Sequence, residues 1–575
     1  MNSKMLILFI CFFFLGETIS NAQNLVAITG ATVIKTNSKG VIENAVILIQ
    51  DNKIIKVDKA GKVKIPATAK IIDAKGKFII PGLIDGHIHF FQSGGLYTRP
   101  DGLNLQYRVP YSDERKWIKD NVDDVFKRYI RCGVTTVIDM GGPMWNFDVR
   151  KYSETANISP RVFVAGPLIA SYCPKVFNTE DPPIIKVTTI DSALLLVKKQ
   201  VEAGTDFIKI WYVVTKEISA EDFYPVVKAV VDEAHKNGLK CYIHATELNT
   251  AKKSMEAGCD VLVHNVKDAD IDEEFLKLAK LHKVIIIPTM WVFESYNQVY
   301  AKQLKLMKIE QLLGNPKVIG SLYDMYELND SDLGDRQKKL IADTSLIRLK
   351  PCLFHNLKKM QDAGITIAAG TDAGNVGVLH GPGIFHEFAY MAQAGLTNYE
   401  ILIDATLNGA KLLNKEKTLG SIDAGKFADL VILNSNPLTD IQNTTDIYLV
   451  IKDGKIFEPD KVLPYTPTDL AQIQLNAYNA KDVESFMAVY SDSVQVFTFP
   501  NTPDFEGKIK MKELYTSFFN RAGTLHCKII NRISYKNYVL DQEEVTTQIP
   551  GREKFEGQAI YKIEGGKIQK VWFLK

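Results

Sequence analysis

PGLIDGHIHF, residues 81–90, ends an apolar run on two histidines, His87 and His89, separated by one residue. In an extended strand alternate side chains share a face, so both imidazoles point to the same side. A lone histidine late in a strand is more often a packed, hydrogen-bonded residue than a ligand. Two on one face at a strand end point to a divalent-metal site, because imidazole nitrogen is a common ligand of zinc-like ions.

Outward from this segment the same texture repeats. FIIPGLIDGHIHF (78–90), VTTVIDMGG (134–142), RVFVAGPLIA (161–170), DFIKIWYVV (206–214), LKCYIHAT (239–246), DVLVHN (260–265), VIIIPTM (284–290) and ITIAAGTDAG (365–374) read as eight strands. The stretches between them read as helices. DSALLLVKKQVEAG (191–204) and DFYPVVKAVVDEAHKNG (222–238) carry apolar residues at three- and four-residue spacing and end in glycine. Strand–helix alternation predicts a parallel α/β sheet, and eight units predict a closed (β/α)8 TIM-like barrel over 76–417. A helical insertion at about 292–362 is placed to wall the substrate pocket. Short β-branched runs at 23–75 and again at 418–462 predict one small split β-sandwich.

At the strand ends stand His87, His89, His244, His264 and Asp372, and Lys209 lies inside DFIKIWYVV. Each alone has an ordinary reading: a core histidine, a structural ion pair for Lys209, a turn cap for Asp372. Jointly those readings fail, because the carboxyl ends of parallel barrel strands converge on one mouth. Imidazoles and carboxylates hold a zinc-like ion and leave a position for water, whose pKa falls from about 15.7 to about 7. Two cations in one mouth need an anionic bridge, which a lysine carboxylated by carbon dioxide supplies.

PGLIDGHIH, FIKI, the two strand-end histidines, AGTDAG and the tail HEFAYMAQAGLT…ATLNGAKLL…LGSIDAGKFADLVILNSNPL resemble the amidohydrolase superfamily over about 24–460, in its prolidase and imidazolonepropionase-like branch. The resemblance implies two divalent ions, with zinc as the expected metal. His87, His89 and Asp372 would hold one, His244 and His264 the other, and carboxylated Lys209 would bridge them. A bridging hydroxide would attack the carbonyl of an amide or peptide bond, in a dipeptide or N-acyl amino acid. Asp372, the catalytic residue, would pass the proton to the leaving amine. Glu247, three residues after His244, leaves a second reading open: a mononuclear deaminase or cyclic-amide hydrolase with Glu247 as general acid. Its ordinary reading is the start of the next helix, where a carboxylate favours the dipole. Tyr212, His380 and Glu247 are substrate-contact candidates, with Trp211 and His386 beside them. A non-catalytic ligand-binding protein is the third reading, and the complete ligand set argues against it.

Residues 466–575, after the linker LPYTPTD, read as an amphipathic helix followed by a curled sheet, an α+β pattern. YNAKDVESFMAVYSDSVQVF, FEGKIKMKELYTSFF and IYKIEGGKIQKVWFL resemble the ketosteroid-isomerase or SnoaL-like cone domains. The resemblance supplies no catalytic pair here; His526 and Asp541 read as ordinary strand residues. At 575 residues the chain asks for two or three domains. A net charge of +2 without a dense basic run excludes nucleic acid and an anionic membrane as evident partners, leaving a small molecule or short peptide. Lys4, the apolar run MLILFICFFFLG and ETISNAQ have the order of a secretory signal over 1–22. The run is about a dozen residues, short of the roughly 20 that span a membrane. The expected location is therefore periplasmic or extracellular, with no membrane insertion after cleavage. The six later cysteines show no metal-binding spacing and read as buried thiols. Both resemblances are compatible with a homo-oligomer.

Overall fold

The computed structural model describes residues 25–37 and 40–574. The signal reading of 1–22 lies outside the described residues. No helix among the described residues is long and apolar enough to cross a membrane.

Eight strands form the first sheet. Five are N-terminal, Leu25–Ile34, Val41–Gln50, Lys53–Lys59, Lys70–Asp73 and Phe78–Pro81; three come late, Leu430–Leu433, Ile447–Lys452 and Lys455–Phe457. Leu430–Leu433 pairs antiparallel with Phe78–Pro81 and joins the two pieces. All eight belong to one hydrogen-bonded sheet, branched at Leu25–Ile34, which pairs with three strands. The run 78–90, expected as one barrel strand, divides at Gly82: Phe78–Pro81 stays in this sheet and Leu83–Ile88 starts the next. A Cβ on Gly82 would lie 2.1 Å from Thr135 Oγ1, so only glycine lets the two sheets meet there.

The central region is α/β. Leu83–Ile88, Val134–Asp139 and Arg161–Val164 form a three-stranded parallel sheet. Ile184–Lys186, Leu168–Ala170, Ile208–Trp211, Cys241–His244, Val261–Val263 and Ile285–Ile287 form a six-stranded parallel one. The run RVFVAGPLIA is thus two short strands rather than one. ITIAAGTDAG forms isolated bridges rather than a ladder: Ile367 pairs with Ile286 and Ala373 with Ile88. Around them Ala368 N–H donates to Ile286 O and Gly86 N–H to Ala369 O, each at 2.9 Å. Val134–Asp139 is buried along its whole length, as a strand covered on both faces must be. The helices Ile190–Glu202 and Ala220–Lys236 begin at capping boxes on Thr189 and Ser219. The insertion folds as several helices, among them Met290–Tyr300, Pro316–Tyr323 and Pro351–Asp362.

The C-terminal unit has its own core around Phe486, Tyr490, Val496, Phe519 and Val571. Its six strands run in the order Thr502–Glu506, Tyr490–Thr498, Lys567–Leu574, Lys554–Glu564, Tyr538–Thr546, His526–Tyr535. The expected single helix is two, Pro467–Ala480 and Val483–Ala488, because Lys481 turns left-handed at φ 53°. A third helix, Lys508–Arg521, lies within the sheet region. The six cysteines among the described residues are all free, four of them buried.

One buried acid in this unit makes its stability pH-dependent. Burial, aided by the neighbouring Asp541, raises the Glu543 carboxyl from 4.5 to about 7. Folded Glu543 keeps its proton to about pH 7, whereas the unfolded chain releases it near 4.5. The folded state binds more protons in that window, so stability falls as pH rises through it. Glu543→Gln is expected to stabilise the protein by roughly 1–3 kcal/mol at pH 8 and by almost nothing below pH 4, read by urea denaturation at both pH values.

Candidate active site

Parallel strands leave their carboxyl ends at one edge, and the polar residues named above gather there. A cavity of about 480 Å3 is lined by His87, His89, Lys209, His244, His264 and Asp372 together, with Glu247 and Trp211 on its wall. Register explains part of this: Lys209 lies beside Tyr242 and Trp211 beside His244 in paired strands, so alternate residues project inward in layers.

His87 Nε2 and His89 Nε2 face each other at 3.2 Å. Asp372 Oδ1 lies 3.1 Å from the first and 3.2 Å from the second. Ligand atoms at about 2.0–2.2 Å from a tetrahedral ion have about this mutual spacing. His89 Nδ1 is held by Gly141 O at 2.8 Å, which leaves Nε2 as the lone-pair nitrogen. His264 Nδ1 engages Thr289 Oγ1 at 2.6 Å in the same way. His87, His264 and Asp372 each offer a ligand atom within 4.8 Å of the others, so this group can hold a metal ion. Two further buried atoms, His87 Nδ1 and Lys209 Nζ, have no hydrogen-bond partner. The residues present therefore fit a metal centre.

Electrostatics agree with that fit. Burial lowers His87 to about 4 and takes His244 and His264 well below the usual histidine value, so all three are neutral at pH 7, the form that can ligate a metal. Lys209 is 2% exposed. Burial, partly opposed by Asp372, lowers its ammonium from 10.5 to about 7, so the nucleophilic free amine is available near neutrality. Burial pushes the Asp372 carboxyl up, while its surroundings at His87 and His89 bring it below the usual carboxylate value. His264, Thr289 and Asp372 follow successive strand runs with positive φ of 75°, 42° and 62°. Non-glycine residues in that region carry backbone strain, of the kind that accumulates where side chains must be aimed.

Supporting residues invisible in the sequence complete the site. Asn375 Nδ2 donates to Asp372 Oδ1 at 2.7 Å. Its own Oδ1 accepts from Tyr296 Oη at 2.7 Å and Arg99 Nη1 at 2.8 Å, which sets the amide the right way round. Arg99 is in turn paired with Asp101 at 2.6 Å. Asp85, fully buried, accepts from Thr371 Oγ1 at 2.7 Å and ties the first strand to the segment carrying Asp372. The general signal for Arg99 and Asp101 was their place in the loop after the first strand, since such loops build the mouth. Nothing in the spacing singled out Asn375. The insertion contributes Val292, Phe293, Tyr296 and Arg336 to the wall.

Two substrate-contact candidates are corrected. Tyr212 is fully buried and its hydroxyl donates to Ala220 O. Three residues from Lys209 is an odd step, so it faces away from the mouth. His380 is buried between Tyr129 Oη and Gln92 O, at 2.9 and 2.8 Å, and does not line the cavity. Trp211, two residues from Lys209, does line it. His386 stacks on Trp291 and pairs with Glu310 at 2.8 Å, while Glu387 accepts from the N–H groups of Met290 and Trp291. Glu247 is the N-cap residue of Leu248–Glu256 and sits 3.6 Å from Lys267 at the rim.

The strand-end cluster and the parallel α/β frame suit an enzyme site, and the family match with its relatives makes the chain a hydrolase acting on carbon–nitrogen bonds. The chain belongs to the amidohydrolase family, whose model matches residues 78–457, and a SnoaL-like domain matches 472–571. Guanine deaminase of Escherichia coli (strain K12) is 23% identical over 435 residues, 72% of this chain and 86% of that protein. Imidazolonepropionase of Geobacillus sp. (strain WCH70) is 21% identical over 478 residues, 76% of this chain and 97% of that protein. Among solved structures, a Xaa-Pro dipeptidase with bound methionine in the active site matches with a TM-score of 0.57 and 24% identity, covering 76% of this chain and all of that one. This last likeness is one of fold.

Proposed function

We propose that this chain is an exported two-metal amide hydrolase that cleaves the C–N bond of a dipeptide or N-acyl amino acid. The observation that carries the reading is the buried, unpartnered Lys209 Nζ in the same cavity as four histidines and Asp372. In this reading His87, His89 and Asp372 hold one zinc ion, His244 and His264 the second, and carboxylated Lys209 joins them. The bound ions supply a lowered water pKa and polarise the substrate carbonyl. Asp372 takes the proton of the attacking water and delivers it to the departing amine nitrogen. Asn375 holds the Asp372 carboxylate in place by its 2.7 Å hydrogen bond.

A closed (β/α)8 barrel is the frame we infer. It is supported by the bridges of 365–373 to both neighbours and by a buried cluster that draws Ile84, Ile138, Ala165, Phe207, Tyr242, Val261, Ile285 and Ala368 from eight successive strand runs. A cavity of about 480 Å3 suits a small molecule. Arg336 and Lys267 at its wall offer cations to a substrate carboxylate. Export to the periplasm or beyond rests on residues 1–22.

Glu247 on the cavity wall favours a second reading, a one-metal deaminase or cyclic-amide hydrolase with that carboxyl as general acid. Metal analysis together with a screen of dipeptides and N-acyl amino acids separates the two. Two ions per chain, a carboxylated Lys209 and amide turnover are expected; one ion with an unmodified Lys209 overturns the two-metal reading. Asn375→Ala is expected to lower kcat about 10–100-fold with little change in KM or metal content, as loss of an outer support does. Steady-state kinetics beside metal analysis checks this.

A further inference from the structure

A second cavity, of about 790 Å3, opens between the hydrolase and the C-terminal unit. Ser93, Tyr97, Glu114 and Asp324 line it from one side and Asn479 and His526 from the other. Its walls are fixed across the junction. Asn476 Nδ2 donates to Pro316 O at 2.8 Å, and Glu327 pairs with Lys528 at 2.8 Å and Arg108 at 3.1 Å.

Glu327 thus has its cations at pairing distance; Glu114 and Asp324 do not, although Arg108, Lys317 and Lys528 also line the cavity. Glu114 receives one hydrogen bond, from Ser93 Oγ at 2.5 Å, and Asp324 one, from Tyr97 Oη at 2.7 Å. Neither has a cationic side chain within 4 Å among the described residues, and both are largely out of solvent. His526 is the independent sign. It is 8% exposed and stacked on Tyr326, with both ring nitrogens lacking a hydrogen-bond partner; the nearest carboxylate, Glu327 Oε1, is 3.6 Å from Nε2. Buried polar groups left unpaired cost free energy, which a ligand carrying the complementary groups restores. Burial raises both carboxyls, Asp324 to about 6, in keeping with that missing partner. The acids and His526 do not gather closely enough to share one metal ion, as His87, His264 and Asp372 do. The missing partner must span the cleft.

We propose that this interdomain cavity binds a small organic cation, a primary amine or guanidinium, seated on Glu114 and Asp324 with His526 as a further contact. Clefts between domains are common small-molecule sites, and ammonium-to-carboxylate hydrogen bonds are among the stronger contacts available there.

Calorimetric titration of the full chain with putrescine and with agmatine tests this, with 1,4-butanediol as the uncharged control. One amine site per chain is expected, with no heat from the diol. Glu114→Gln and Asp324→Asn should each weaken it by at least about tenfold, as loss of a charge-assisted bond does. The Asp372→Asn chain should bind as the unaltered one does, which places the site away from the hydrolase cavity. Both cavity variants should melt at or above the temperature of the unaltered protein without ligand, because each removes an unpaired buried acid. No binding of either amine, or binding that both substitutions leave unchanged, overturns the proposal.

Discussion

Asp372→Asn is expected to lower kcat by about 1,000-fold or more while the circular dichroism spectrum stays that of the unaltered protein. The carboxylate is the group in the cavity that touches both His87 Nε2 and His89 Nε2, at 3.1 and 3.2 Å, and also receives Asn375 Nδ2. Its carboxyl lies below the usual carboxylate value despite burial, so it is ionised and open to a proton at neutral pH. Asparagine keeps the shape and one oxygen but accepts no proton. General acid–base groups contribute about 100- to 10,000-fold, and the loss here falls on kcat because proton transfer belongs to the transition state. Undiminished hydrolysis by the variant, measured on the best amide from the screen, would remove Asp372 from the proposed role.

Lys209→Ala is the second large effect. The expected result is loss of one of two ions and a fall in activity beyond the about 10–100-fold that an outer-shell loss costs. The chemistry follows from the site. Burial at 2% exposure holds the amine near pKa 7, so the free base exists at neutral pH and can attack carbon dioxide. In the proposed reading a nitrogen–carbon bond would form, one proton would leave, and the neutral side chain would become an anion able to help hold the ions. Alanine leaves a hole of that length. A short carboxylate such as propionate, added at high concentration, should enter it and restore part of both metal content and turnover. If the variant kept two ions and full turnover, the bridging role would be wrong. If Glu247→Gln abolished turnover instead, the deaminase-like reading would stand.

The legible and illegible residues differ in a physical way. His87, His89, His244, His264 and Asp372 could be picked out because each closes a strand run, and Lys209 because it lies within one; parallel strands bring such residues to one mouth. The same rule, applied by distance instead of parity, misplaced Tyr212: three residues along a strand is the opposite face. His380 sits in a glycine-rich loop that has no period, so only the folded chain shows it turned toward Tyr129 and Gln92. Asn375 and Arg99 lie 276 positions apart and meet at 2.8 Å.

The same division holds for the whole molecule. Local pattern along the chain carried the strand–helix alternation, the polar residues late in the strand runs, the joining of the N-terminal strands to the later ones, and the separate character of the C-terminal unit. These follow from local periodicity, backbone preference and chain order, which a one-dimensional pattern carries. Folding alone set the split of 78–90 at Gly82, the break of 471–490 at Lys481, the support of Asp372 by Asn375, and the cleft with Glu114 and Asp324 between hydrolase and cone. Those features arise where surfaces distant in sequence press together. Steric clearance, burial and the pairing of polar groups there depend on both partners at once, and no local pattern in either one records them.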